Sequence, residues 1–108
     1  MDITFKDKEL EKCAESIKYG TKKMGALRYR QFTMRIQDLV DAESLEDLRY
    51  APGHFHDLKA DRKGQVGCSV DQPYRLIMKP IGVDVENGFN WSDVYSVEII
   101  EIVNYHGK

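Results

Sequence analysis

His54, His56 and His106 are the only histidines in the chain, and imidazole is the side chain that trades protons near neutral pH without special tuning. Two of them sit in His54-Phe55-His56-Asp57-Leu58-Lys59-Ala60-Asp61-Arg62-Lys63-Gly64, which adds three cations within ten residues. On an alternating strand His54, His56 and Leu58 share a face. The plainer alternative is a solvated charged turn. A second feature is Tyr74-Arg75, at the start of a mainly apolar run. An arginine emerging there onto a sheet surface can hold a phosphate bidentately, or it can pair with Glu98 or Glu101 on a neighbouring strand. The third is Asn104-Tyr105-His106, directly after an apolar run. Polar groups at a strand end are common functional positions, and a mobile tail is the alternative. The His-x-His spacing raises a metal site, but no cysteine pattern supports it, so neither metal nor cofactor is expected.

These residues need elements to position them. Ile3-Thr4-Phe5 has the character of a short strand. Asp7 is placed to cap a helix carrying Leu10, Ala14 and Ile17, with Gly20 as its stop. A longer helix is expected over 22–42, with Ala26, Tyr29, Thr33, Ile36 and Val40 on one stripe and Phe32 and Leu39 beside it. Arg28 and Arg35, seven places apart, then share a solvent face. Ser44 to Asp47 has capping-box spacing for a short third helix, ended by Pro52-Gly53. Strands are expected over 65–70, 74–79 and 96–103, the first two joined by a turn at Asp71-Gln72-Pro73. The last is apolar enough for a sheet covered on both faces. Between the last two strands, Pro80 to Tyr95 forms an excursion containing Trp91. Helices first and an antiparallel sheet after them make an α+β fold, with two to three helices on one face of a mainly antiparallel twisted sheet.

The 108 residues are enough for one domain spanning the chain, and 42% apolar with 31% charged is ordinary for a water-soluble protein. No apolar run approaches the ~20 residues that cross a bilayer, and the N-terminus lacks the core of a signal peptide. A cytoplasmic protein that does not engage membranes is expected. Cys13 and Cys68 belong to no paired motif and are expected as small buried hydrophobes. The net charge of −2 does not mark a polyanion binder, but its distribution is uneven. Residues 51–82 carry five basic and three acidic side chains, whereas 83–108 carry one and five. Any site for a polyanion is therefore a local patch.

The run from His56 to Gln65, with Leu58, Lys59, Asp61, Arg62 and Gly64, resembles the signature of HigB-type killer proteins in the RelE/ParE toxin superfamily. Pro73-Tyr74-Arg75-Leu76-Ile77 is similar to that family's aromatic-arginine strand, and Glu101-Ile102-Val103-Asn104-Tyr105-His106 to its terminal Asp-Tyr-His strand. Leu45-Glu46-Asp47-Leu48 followed by Pro52-Gly53 matches its approach to the histidine. The likeness runs over nearly the whole chain. It has departures: Asn104 stands where the family has Asp, Ala60 where it has Gly, and Val66 where many members have an aromatic or polar residue. The 80–95 segment is longer than in the smallest members, although Trp91-Ser92-Asp93-Val94 matches an insertion in some relatives.

The resemblance implies a RelE-like fold and a ribosome-dependent endoribonuclease, an mRNA interferase of a type II toxin–antitoxin system. It implies metal-independent attack of a 2′-hydroxyl on the adjacent phosphate. His56 and His106 are then the acid–base pair, Arg75 and Lys59 carry the phosphate charge, and Tyr105 stacks on a base or orients the 2′-hydroxyl. Arg62, Lys63, His54 and Asn104 contact RNA. The implied partners are a helix-turn-helix antitoxin of HigA type, the ribosome with mRNA in its A site, and operator DNA through the antitoxin alone. Two other readings stand beside it. One is a ParE-like poison of gyrase that cuts nothing; the other is a degenerate toxin kept as a corepressor, for which Asn104 is the reason.

Overall fold

The structure, a computed structural model, describes residues 1–104. Strand β1 (Asp2–Phe5) leads into helices α1 (Lys8–Glu15), α2 (Ile17–Met24) and α3 (Ala26–Asp41). Strands β2 (His56–Asp57), β3 (Val66–Asp71), β4 (Tyr74–Pro80) and β5 (Ser96–Asn104) follow. The five strands form one sheet in the order β1-β5-β4-β3-β2. All neighbours are antiparallel except β1 and β5, which pair parallel. That pair joins the two ends of the described chain, so the long crossover a parallel pair requires is already present. The α+β architecture expected from the sequence is the one observed.

The helices differ from expectation in several places. Asp7 caps α1 as anticipated, its carboxylate accepting from the Glu9 and Leu10 amides at 2.8 and 3.2 Å. The helix does not run on to Gly20, however. The chain turns extended at Ser16, whose hydroxyl accepts from the Tyr19 amide at 3.1 Å and starts α2. Gly20 lies buried inside α2, where an added Cβ would overlap the Tyr29 ring. It is a packing glycine; the stop is Gly25, with φ of 85°.

On α3 the buried residues are Phe32, Arg35 and Leu39. Tyr29 and Ile36 pack beside them, but Ala26 and Val40, expected on the same stripe, are exposed. Arg35 does not share a solvent face with Arg28. Its Nε donates to the Ser69 carbonyl and its Nη1 to Asp38, both at 3.0 Å. Those bonds satisfy a charge that burial alone would penalise. Arg28 is half-buried, lying 3.7 Å over the Tyr74 ring with Asp71 at 3.5 Å. The third helix is one 3-10 turn, Leu45–Leu48, and the Ser44 side chain does not cap it.

One core lies between the helices and the sheet. Phe32, Leu39 and Leu45 meet Val66, Cys68, Leu76, Met78, Val97 and Ile99 there. Both cysteines are free and buried, as expected. On β5 only the helix side is fully covered: Val97 and Ile99 are buried, whereas 100–103 are half-buried. The opposite face of the sheet is open, and the alternation of β4 sends Arg75, Ile77 and Lys79 toward it.

Candidate functional site

Pairing register assembles the open face. His56 of β2 stands opposite Gly67 of β3, Gly67 opposite Ile77 of β4, and Ile77 opposite Glu101 of β5. The next row is Ser69, Arg75 and Val103. Because side chains of paired residues share a face, His56, Arg75 and Glu101 emerge on the same side of the sheet. Gly67 leaves room for Leu58 to lie across the strand. A Cβ there would stand 3.2 Å from Leu58 and 3.6 Å from Ile77, and both of those side chains are buried. They form an apolar floor beside the polar row.

Above it is a groove of about 700 Å³, lined by His56, Lys59, Asp61, Arg62, Val103 and Asn104 together with Asp57 and Leu58. His56 is oriented by its own turn. Its Nδ1 lies 2.8 Å from the His54 carbonyl oxygen. A carbonyl only accepts, so Nδ1 carries the hydrogen and the lone pair of the neutral ring is on Nε2. The carbonyl reaches that position because the turn is left-handed, with φ of 107° at Gly53 and 55° at His54. The two imidazole rings stand 4.8 Å apart, and His54 itself is exposed. The expected strand through His54 is thus a turn, but the two histidines remain together.

The four cations have different settings. Lys59 is exposed at the groove and makes no ion pair among the described residues. Arg62 is held from two sides, Nη2 donating to Glu101 at 2.6 Å and Nη1 to Gln65 at 3.1 Å. Arg75 lies on the open face, half-buried, donating from Nη1 to Gln72 at 3.1 Å. It stands opposite Val103; of the two glutamates the sequence offers it, Glu101 is bonded to Arg62 and Glu98 stands opposite Lys79. Lys63, grouped with Arg62 by the sequence, is not in this groove. It lines a smaller one of about 360 Å³ on the other side of the 59–64 turn. The turn itself keeps a left-handed residue at Ala60, φ 58°, the conformation a glycine adopts most easily.

Asn104 reaches the rim of the larger groove at the end of β5. Tyr105 and His106, assigned to catalysis from the sequence, lie outside the described residues. Among the described residues no group of three His, Cys, Asp or Glu side chains is assembled to hold a metal ion. No described helix is long and apolar enough to cross a membrane.

Two roles were not read from the sequence. Glu101, offered there with Glu98 as a partner for Arg75, is instead the group that fixes Arg62. Asp57 accepts from the Trp91 indole Nε1 at 2.9 Å, and Arg49 covers that ring at 4.4 Å. The 80–95 excursion therefore ties down the strand that carries His56. The chain's one tryptophan, placed inside a long excursion, was the available signal.

No protein-family model and no curated protein matches the sequence. Among solved structures, the chain is similar to the YoeB/ParE toxin from Agrobacterium tumefaciens, at 14% identity and a TM-score of 0.53. The match covers 98% of this chain and all of that one. At that identity the likeness is one of fold, and the fold is of RelE/ParE type.

Proposed function

We propose that this protein is the toxin of a toxin–antitoxin pair and that it cuts mRNA in the ribosomal A site. The observation that carries the reading is the open-face groove. His56 presents Nε2 there beside Lys59 and Arg62, with Arg75 on the same face one row away. The shared fold with a YoeB/ParE toxin and the sequence likeness to HigB-type killer proteins support it.

The reaction is transfer of a phosphoryl bond within the RNA. The 2′-hydroxyl of one nucleotide attacks the neighbouring phosphorus, a new bond to the 2′-oxygen forms, and the bond to the 5′-oxygen of the next nucleotide breaks. Neutral His56 takes the 2′-hydroxyl proton on Nε2. The leaving 5′-oxygen must gain a proton, and His106, two residues beyond the groove-lining Asn104, is the group we assign to supply it. Lys59 and Arg75 carry the charge that builds on the phosphate oxygens, and Arg62 holds the backbone beside it. Tyr105 stacks on a base or orients the 2′-hydroxyl, while His54 and Asn104 lie at the edges. The ribosome presents the substrate, consistent with so small a basic patch. A helix-turn-helix antitoxin of HigA type restrains the toxin and carries it to operator DNA, in the cytoplasm.

Brief induction followed by primer extension on cellular transcripts tests this. Cuts inside translated codons are expected. Intact transcripts with an induced DNA-damage response would instead identify a gyrase poison, and intact transcripts with normal growth a degenerate toxin.

A further inference from the structure

The smaller groove shares Asp57, Leu58 and Lys59 with the larger one, so the two are continuous past Lys59. Its far wall belongs to the 80–95 excursion, through Val85 and Phe89. That wall is held close: a Cβ at Gly64 would sit 3.0 Å from the Val85 carbonyl oxygen, and Gly64 has φ of 90°. The excursion is therefore packed directly on the 59–64 turn. Phe89 is half-buried, with its ring at the groove. Lys59 and Lys63 are exposed and make no ion pair among the described residues. The nearby Asp84 is spent on its own loop, where the Asn87 side chain and the Asn87 and Glu86 amides hold its carboxyl below the usual range. Asp57 is engaged by the Trp91 indole.

We infer that this groove is a second nucleotide subsite, in which a base beside the cut stacks on Phe89 while Lys63 and Lys59 hold its phosphates. An aromatic face flanked by unpaired cations fits a nucleotide better than an acidic peptide, because the ring answers a π-surface and the lysines answer phosphate. A strand leaving the larger groove past Lys59 passes two carboxylates, Asp57, which the Trp91 indole engages, and the exposed Asp61, against three cations, Lys59, Arg62 and Lys63. The excursion would then choose which sequences are cut. This rests on the nuclease reading.

The test uses the full-length protein with translating ribosomes programmed by mRNAs that each carry one abasic nucleotide, at the cut or one or two places either side. For the wild type, one abasic position should slow cutting about tenfold or more, the usual scale of one aromatic–base stack. Phe89→Leu, which keeps an apolar packing group, should cut intact mRNA as slowly and ignore the abasic nucleotide at that position. Lys63→Gln should weaken binding and flatten its salt dependence by about one phosphate contact. A folded Phe89→Leu protein with the wild-type abasic profile overturns the subsite. Should that variant unfold, an unchanged salt slope for Lys63→Gln overturns it. A wild-type protein that cuts no ribosome-bound mRNA removes the nuclease reading, and the subsite with it.

Discussion

Arg62 donates to Glu101 across 2.6 Å, joining the turn after β2 to the last strand at the edge of the groove. Both side chains are partly exposed, 28% and 42%, so solvent screens the pair and its stability contribution is about 1 kcal/mol or less. Its importance is positional. Arg62→Gln leaves a bare carboxylate facing RNA, whereas Arg62→Gln with Glu101→Gln does not. The single variant should therefore cut more slowly than the double, at nearly equal melting temperature. Equal rates for the two would show that Glu101 plays no part in the groove.

Trp91 is 3% exposed and anchors the excursion to β2 through Asp57. Trp91→Phe keeps a ring but loses the N–H and part of the surface under Arg49. A loss of about 1–2 kcal/mol is expected in denaturant unfolding. Amide exchange at His56 and Asp57 should quicken more than exchange in β4. Uniform quickening would mean that the bond serves the fold at large and not the strand of the histidine.

Burial pushes the Cys68 thiol up from an ordinary 9.0 to about 12. An unfolded chain releases this proton near pH 9 and the folded one holds it, so unfolding sheds a proton between about pH 9 and 12. Stability from this group is full below pH 9 and falls as pH rises through that window. Cys68→Ala should flatten the alkaline limb of a stability–pH curve even though it lowers stability at pH 7. Alkylation at pH 8 should reach Cys68 only through unfolding, and fast labelling of the native protein would contradict its burial.

The helices-before-sheet order and the β3–β4 hairpin were legible because short apolar runs flanked turn residues, as at Asp71-Gln72-Pro73. The clustering of His56, Lys59 and Arg62 was legible because they lie close in sequence. Arg35 was misplaced for a physical reason. Hydrophobic periodicity treats charge as solvent-facing, yet this guanidinium finds the Ser69 carbonyl and Asp38 under the sheet. The break at Ser16 was hidden because Leu10, Ala14 and Ile17 keep helical spacing across it, although a serine three places before Tyr19 can cap a new helix. Separation of Lys63 from Arg62 is set by the 59–64 turn, with its left-handed Ala60 and Gly64, and no spacing rule reports that.

The central claim is that Nε2 of His56, set by the His54 carbonyl, trades the proton of the 2′-hydroxyl. Single-turnover cutting of ribosome-bound mRNA by wild type and His56→Gln measures it most directly, with circular dichroism and melting to verify the fold. The account predicts a folded variant slowed by about 10²–10⁴-fold, the usual worth of a positioned acid or base. A folded His56→Gln protein that cuts at the wild-type rate would contradict it.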